Sequence, residues 1–363
     1  MKRRVLPLSV LWVLALVAYG MVLVLRAGAD TEAGDPMLQL AVYRYKDAQD
    51  VLWETRRKHL DEETLREVER NDAIRSGLIG AEWTGLTTTA GTLDAKRATV
   101  SPAWISLFRR WYQQLGLRTG DRVAINSSAS FPALFYAARL AAESLGLETH
   151  SVISLTASNF GANLPDFDYW EMETALQERQ ILPRSVFGVT PGGHGDVAAG
   201  LDAHARAALR VRIDELEGIR GGPEVLWPAN TEESRDFRRR ILLGKFRPDV
   251  YVSIGGHATG YGTGLRALAL PRGVIRPEQV GEDAVPESVL GDALRLDIPV
   301  INVLDIRGIM AEEGLPPGGE MLLEPLPPTR RTMALFGAFF IVAAIVYFSR
   351  PHPPFIPDEE NYA

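Results

Sequence analysis

Four polar stretches hold the residues of this chain that could do chemistry. Asn126, Ser127, Ser128 and Ser130 lie together in INSSASFP, just before Pro132. Ser158, Asn159 and Asn163 lie in SNFGAN, His194 and Asp196 share GGHGD, and His257 sits in GGHATG. Small hydroxyl and amide side chains on a tight turn leave backbone N–H groups free to cradle a carboxylate or phosphate, above all where a helix begins. Ordinary turn and capping chemistry uses the same residue types, so it stands beside the ligand reading. Serine, histidine and aspartate could also form a hydrolytic set, and two histidines with an aspartate could hold a metal ion. Neither is preferred, because such combinations arise easily and no G-x-S-x-G elbow is present. The expectation is an anion site built from those ten residues, with no metal ion and no cofactor. No glycine spacing follows the dinucleotide pattern and there is no GxxxxGK[ST] loop, which argues against ATP hydrolysis by a phosphate-binding loop.

These stretches need elements to hold them. Val123 to Ile125 is a short apolar run suited to a buried strand, with the polar turn 126–130 after it. Pro132 suits the first turn of a helix, which continues through Leu134, Ala138, Leu140, Ala141 and Leu145 to Gly146. Further strands are expected over His150–Ala157, Val186–Val189, Glu224–Trp227, Val250–Ile254 and Val300–Leu304. Between them come helical stretches near 169–179, 197–217 and TEESRDFRRRILLG. Strand, polar turn, helix, repeated, implies an α/β fold with a mostly parallel sheet and helices on both faces. Loops that follow parallel strands share one edge, so the four stretches are expected to meet in one cleft.

Upstream, residues 103–117 read as an amphipathic helix, and residues 36–70 as one long charged helix flanking the domain or holding it off a membrane. Residues 71–102 read as a surface crossover with a threonine cluster at 87–89. The adjacent cations Lys96 and Arg97 offer an alternative there, a basic lip over an anion site.

Composition narrows the class. In 363 residues, 46% are hydrophobic and 23% charged, enough for a core and too polar for a polytopic membrane protein. The net charge of -7 argues against a nucleic-acid binder. With no cysteine there is no disulfide and no thiol chemistry. Val5 to Leu25 carries no charge and follows Lys2, Arg3 and Arg4; as a helix it reaches about 32 Å, enough for a bilayer core. An uncleaved anchor is the preferred reading, with cleavage near Ala27-Gly28-Ala29 as the alternative. Met333 to Phe348 is apolar between Arg331 and Arg350 and would span about 24 Å. The expected organisation is a membrane anchor at 1–29, the charged helix at 30–70 and the α/β domain at 71–315. A linker at 316–332, a second membrane helix at 333–349 and a tail at 350–363 follow. This places the α/β domain at a cell membrane, outside the cytoplasm.

Several longer motifs carry a resemblance. They are RSGLIGAEWTGLTTTAGTLDAKR at 75–97, GDRVAINSSASFPAL at 120–134 and SLTASNFGANLPDFDYWEMETAL at 154–176. GGHGDVAAGL at 192–201, SIGGHATGYGTG at 253–264 and IPVINVLDIRGI at 298–309 complete them. Together they resemble the poly-gamma-glutamate system proteins, membrane-anchored bacterial proteins encoded beside the machinery of poly-gamma-glutamate capsule biosynthesis. Phe160 departs from that pattern, which has Trp or Tyr there, and so does Asp168-Tyr169-Trp170, which varies a Thr-Trp-Leu pattern. The resemblance implies an accessory subunit of polymer synthesis or export, partnered by the other membrane subunits, with no catalytic residues assigned. A membrane-anchored hydrolase or transferase acting on the polymer is the alternative, and a purely structural scaffold a third reading.

Overall fold

In a computed structural model of the protein, the structure describes residues 35–315. The membrane helices expected at 1–29 and 333–349, the linker and the tail lie outside those residues. Among the described residues no helix is long and apolar enough to cross a membrane.

The described residues begin with α1 (Pro36–His59) and α2 (Glu62–Asn71), then β1 (Thr87–Thr89), α3 (Leu93–Thr99) and α4 (Ala103–Gln114). The central unit follows as β2 (Arg122–Ser128), α5 (Pro132–Ser144) and β3 (Glu148–Ser154). Three two-residue strands come next, β4 (Ala157–Ser158), β5 (Asn163–Leu164) and β6 (Phe167–Asp168), leading into α6 (Tyr169–Glu178). Then come β7 (Val186–Thr190), α7 (Ala203–Glu217), β8 (Glu224–Val225) and α8 (Thr231–Arg239), which runs on as a π-helical turn over Arg240–Lys245. The last elements are β9 (Val250–Ile254), α9 (Ala258–Tyr261), α10 (Gly264–Leu268), β10 (Gly273–Ile275), α11 (Val289–Arg295), β11 (Val300–Val303) and α12 (Ile306–Glu313).

Seven strands form one sheet in the order β10-β11-β9-β2-β3-β7-β8, parallel except for β10 at the edge. Burial on both faces explains why these strands read as apolar runs. Val123 and Ile125 join one hydrophobic cluster with α1, α4 and α5, while Ala124 joins a second with α8 and α11. Adjacent residues of a strand point to opposite faces, so one strand feeds two cores. From β2 the chain builds outward through β3, β7 and β8, then returns to the other side of β2 with β9. The order of strands therefore reverses between β2 and β9. In open α/β sheets that reversal opens a crevice at the carboxyl ends of the strands.

Several local expectations are corrected. The helix expected over 36–70 is two, because Asp61 takes an extended conformation and caps α2 by accepting from the Glu63 and Thr64 N–H groups. Nor does α1 stand apart: Tyr45, Leu52 and Trp53 are buried in the core, and the Tyr45 hydroxyl donates to the Ala133 carbonyl of α5 at 3.3 Å. Its Arg56 is buried with Asp72 at 2.7 Å. The stretch 71–102 is not a plain crossover. Its β1 pairs in parallel with β4, and α3 follows. The turn placed at 126–130 begins later, because β2 runs through Ser128 in register with β3, Ser128 opposite Ser154. The helix expected from 197 starts at Ala203, where the Asp202 side chain accepts the Ala205 N–H.

Candidate functional site

A cleft of about 340 Å³ lies at the carboxyl edge of the sheet. The end of β2 contributes Ser128, Ser130 and Phe131; the chain after β3 contributes Thr156 and Ser158. His194 enters from the loop after β7, His257 from the loop after β9, and Thr88 and Thr89 from β1. None of the lining residues is a carboxylate. Such a wall suits a neutral or anionic group and repels no carboxylate.

The layer beneath is held by one buried ion pair. Arg238 of α8 is fully buried and donates to Asp196 Oδ2 at 2.9 Å, to Ser154 Oγ at 2.7 Å and to Thr190 Oγ1 at 2.6 Å. A further N–H goes to Asn126 Oδ1. Asp196 in turn accepts from Thr190 at 2.8 Å, from Ser154 at 3.3 Å and from Ser234. A buried guanidinium is tolerated when its charge and its N–H groups are both matched, and here one side chain ties together the ends of β2, β3 and β7. Asp196 reaches this position from a left-handed backbone, φ +64°. That conformation is uncommon for a residue with a Cβ and is sustained here by the bonds of its carboxylate.

His257 borders the same layer. Its Nδ1 accepts the Gly260 N–H at 3.1 Å, which places the proton of the neutral ring on Nε2, and Nε2 is buried without a partner. Burial pushes this imidazole down to about 3, helped by the positive charge of Arg238 and opposed by Asp196. The ring is neutral at physiological pH and keeps one donor to offer. The Thr156 hydroxyl, 2% exposed, is likewise without a partner and lines the cleft. Glycine at 192 makes room for it, since a Cβ there would come within 2.2 Å of Thr156 Oγ1. A buried polar group left unpaired costs stability, and two such atoms belong to residues that line this cleft, which makes them candidate ligand contacts.

A charged group, Lys96, lies against Ser130 and Ser158 of the cleft, and it is not a surface lip. Its side chain is 2% exposed and runs inward from α3 to donate to the Ser158 hydroxyl at 2.9 Å and to the Ser130 carbonyl. The amine lies 3.7 Å from the centre of the Phe131 ring. No carboxylate pairs with it among the described residues, and burial pushes it from 10.5 down to about 7. Arg97, one residue on, points the other way and donates to the Asn71 and Arg70 carbonyls.

Of the ten residues expected at the site, Ser128, Ser130, Ser158, His194 and His257 line the cleft. The other five do not. Asn126 is buried and donates to the Tyr251 hydroxyl at 2.7 Å while accepting from Arg238. Ser127 faces the opposite side of β2, and its hydroxyl donates to the Ser128 carbonyl at 3.0 Å. Asn159 accepts the Gly91 N–H at 3.0 Å and donates to the Glu82 carbonyl. Asn163 exchanges two hydrogen bonds with the Ala81 backbone. Asp196 serves Arg238. Among the described residues no side-chain hydrogen bond joins either His194 or His257 to a serine or to Asp196. No group of three His, Asp or Glu side chains could hold a metal ion there either.

A second cleft of about 500 Å³ lies at the opposite edge of the sheet, around Arg122, His150, Phe187 and Phe246. Its charged groups are already engaged: Arg139 with Glu173, Lys245 with Glu224, and Arg184 with the Gly222 carbonyl at 2.7 Å. His150 is sandwiched between Phe187 and Phe246. Arg139 Nε and Glu143 Oε2 are buried there without a partner as well, so the preference for the carboxyl edge rests on the reversal of strand order beside it.

Sequence reading missed Arg238, Thr156 and the burial of Lys96. For Arg238 a signal existed: Ser234, Arg238 and Leu242 recur at helical spacing on the buried side of α8 and its extension. No family model, no curated protein and no solved structure matches the chain.

Proposed function

We propose that this protein is a membrane-anchored accessory subunit of poly-gamma-glutamate synthesis or export, whose α/β domain takes a carboxylate-bearing ligand in the cleft at the carboxyl edge of the sheet. The anchor and the polymer rest on the apolar ends of the chain and on the resemblance of its motifs. The ligand class rests on the cleft. Its polar side chains are hydroxyls and imidazoles without a carboxylate, and two of its residues carry unpaired buried polar groups, Thr156 Oγ1 and His257 Nε2. That pair of groups is the observation that carries the ligand reading.

A carboxylate would accept from both, replacing partners that the folded chain does not supply. The start of α5, where Pro132 occupies the first turn, adds a favourable field of about 0.3–1 kcal/mol for a negative charge. Weak contacts of this size suit a protein that guides a polyanion past a membrane machine without retaining it. Deletion of the gene in its own host, with surface polymer measured for amount, length and attachment, tests the role. Loss or shortening of polymer restored by the wild-type gene is the expected result, and unchanged polymer rejects it. Direct binding of a short γ-linked glutamate oligomer to the full chain, weakened by His257→Phe, tests the ligand class separately.

The alternative of a hydrolase or transferase acting on the polymer is favoured by one observation, the contact between Ser158 and the buried amine of Lys96.

A further inference from the structure

The geometry points to Ser158 and Lys96 as a nucleophile and general-base pair for acyl transfer, acting on a carboxylate-bearing amide or ester bound in the cleft. The nucleophile stands on its own contacts; only the carboxylate in the substrate rests on the ligand reading proposed above.

Three observations carry the pair. The first is contact: the Lys96 amine lies 2.9 Å from Ser158 Oγ, within reach for direct proton transfer. The second is the way each partner is held. The amine is fixed by the Ser130 carbonyl and sits against the Phe131 ring. The backbone N–H of Ser158 donates to Ser130 Oγ at 3.0 Å, and β4 is tied to β1. A neutral amine has one lone pair and two N–H groups. With one N–H committed to the Ser130 carbonyl, the lone pair is free to accept the Ser158 O–H. The third is access, because Ser158 lines the cleft while Lys96 lies behind it. Base behind and hydroxyl in front are the parts an activated serine needs.

The amine also has the right charge state for the work. Burial without a carboxylate partner leaves a large fraction neutral near pH 7. A lysine that served only as a cationic strut would be expected to have an acidic partner, and none is present among the described residues.

The reaction follows from these positions. Ser158 Oγ attacks the substrate carbonyl carbon as its proton passes to Lys96 Nζ. The carbonyl π pair moves onto oxygen as the bond from carbon to Ser158 Oγ forms. On collapse the bond from carbon to the leaving nitrogen or oxygen breaks, and that atom takes the proton from Lys96. This leaves an ester on Ser158. Water then attacks the ester, gives a proton to Lys96, and Ser158 Oγ recovers it as the acid departs. The sum is amide or ester plus water going to acid plus amine or alcohol. An amine in place of water makes the same cycle a transfer.

The test treats the full chain with a fluorophosphonate, which phosphonylates an activated serine and needs no carboxylate, and locates the adduct by peptide mass spectrometry. The expected result is an adduct on Ser158, forming with a pH profile whose midpoint lies near 7. It should be absent in Ser158→Ala and at least tenfold slower in both Lys96→Met and Lys96→Arg. Arginine keeps the positive charge and loses the base, so a role in holding the loop in place would survive that change while the proton acceptor would not. Circular dichroism of Ser158→Ala, which loses only a hydroxyl, confirms that the fold is intact. No adduct on Ser158 between pH 6 and 9, or one that forms as fast in Lys96→Arg, overturns the pair. Competition by the γ-linked glutamate oligomer separates the two proposals: labelling of Ser158 that the oligomer does not slow keeps the nucleophile and rejects the carboxylate in its substrate.

Discussion

Replacing Lys96 by methionine should remove a pH dependence of stability that arises from one buried amine. The side chain is 2% exposed, and its amine is pushed by burial from 10.5 down to about 7. Between those two values the unfolded chain holds a proton on this amine that the folded chain has released. Stability therefore rises with pH across the window from about 7 to 10.5 and, as far as this group is concerned, is lowest below it, where folding must bury the charge. The slope is about 1.4 kcal/mol per pH unit, so the whole window is worth at most about 5 kcal/mol. The Phe131 ring and the Ser130 carbonyl favour the charged form and reduce that figure. Urea unfolding followed by circular dichroism at pH 7 and pH 9 gives the difference between wild type and Lys96→Met. Over that interval the difference should move in favour of the wild type by about 2–3 kcal/mol, and at the lower pH the methionine variant should be the more stable. Parallel pH profiles of the two proteins would refute the buried, unpaired amine, and the proton acceptor proposed for Ser158 would fall with it.

Three further outcomes are expected. Arg238→Met leaves the Asp196 carboxylate buried without its cation and should cost about 3–5 kcal/mol in urea unfolding, part of it recovered when Asp196→Ala is added; a loss below about 1 kcal/mol counts against the ion pair as the brace of the cleft. Gly260→Ala would place a Cβ 2.2 Å from His257 Cε1 and 2.6 Å from Asn126 Nδ2, so the imidazole must move. A cost of about 1–3 kcal/mol with weaker binding of the γ-linked glutamate oligomer is expected, and unchanged binding would remove His257 from the ligand site. Reporter fusions after Ala29 and after Ala363 should report from the outer and the cytoplasmic side of the membrane respectively. A C-terminal reporter active outside would contradict two spans, and a processed N-terminus near Ala29 would contradict the anchor.

Local signals in the sequence decided the alternation of strands and helices. Val250–Ile254 and Val300–Val303 stand out because strands buried on both faces are mostly apolar, with Ser253 and Asn302 the polar exceptions. Pro132 and Asp168 mark helix starts because a missing N–H and a capping carboxylate act within one turn of chain. The parallel order of the strands makes the loops after β2, β3, β7 and β9 share an edge, so the neighbourhood of the site was legible as well. The edge strand β10 was not, since three residues running antiparallel carry too little pattern. Nor could local pattern say which polar side chain faces the ligand. Asn126, Ser127 and Ser128 look alike in sequence, but β2 runs on to Ser128, and the two-residue period then turns Ser127 to one face and its neighbours to the other. Lys96 and Arg97 look alike too; successive residues of a helix point about 100° apart, and only the folded chain buries one amine against Ser158 behind the cleft and leaves the other cation outside. Arg238, Arg239 and Arg240 form a single charged run, of which the first alone is buried. What separates it is Asp196, 42 residues away in sequence. A guanidinium, which cannot shed its proton as the Lys96 amine can, enters a protein interior only where a partner is waiting, and the position of that partner belongs to the folded chain.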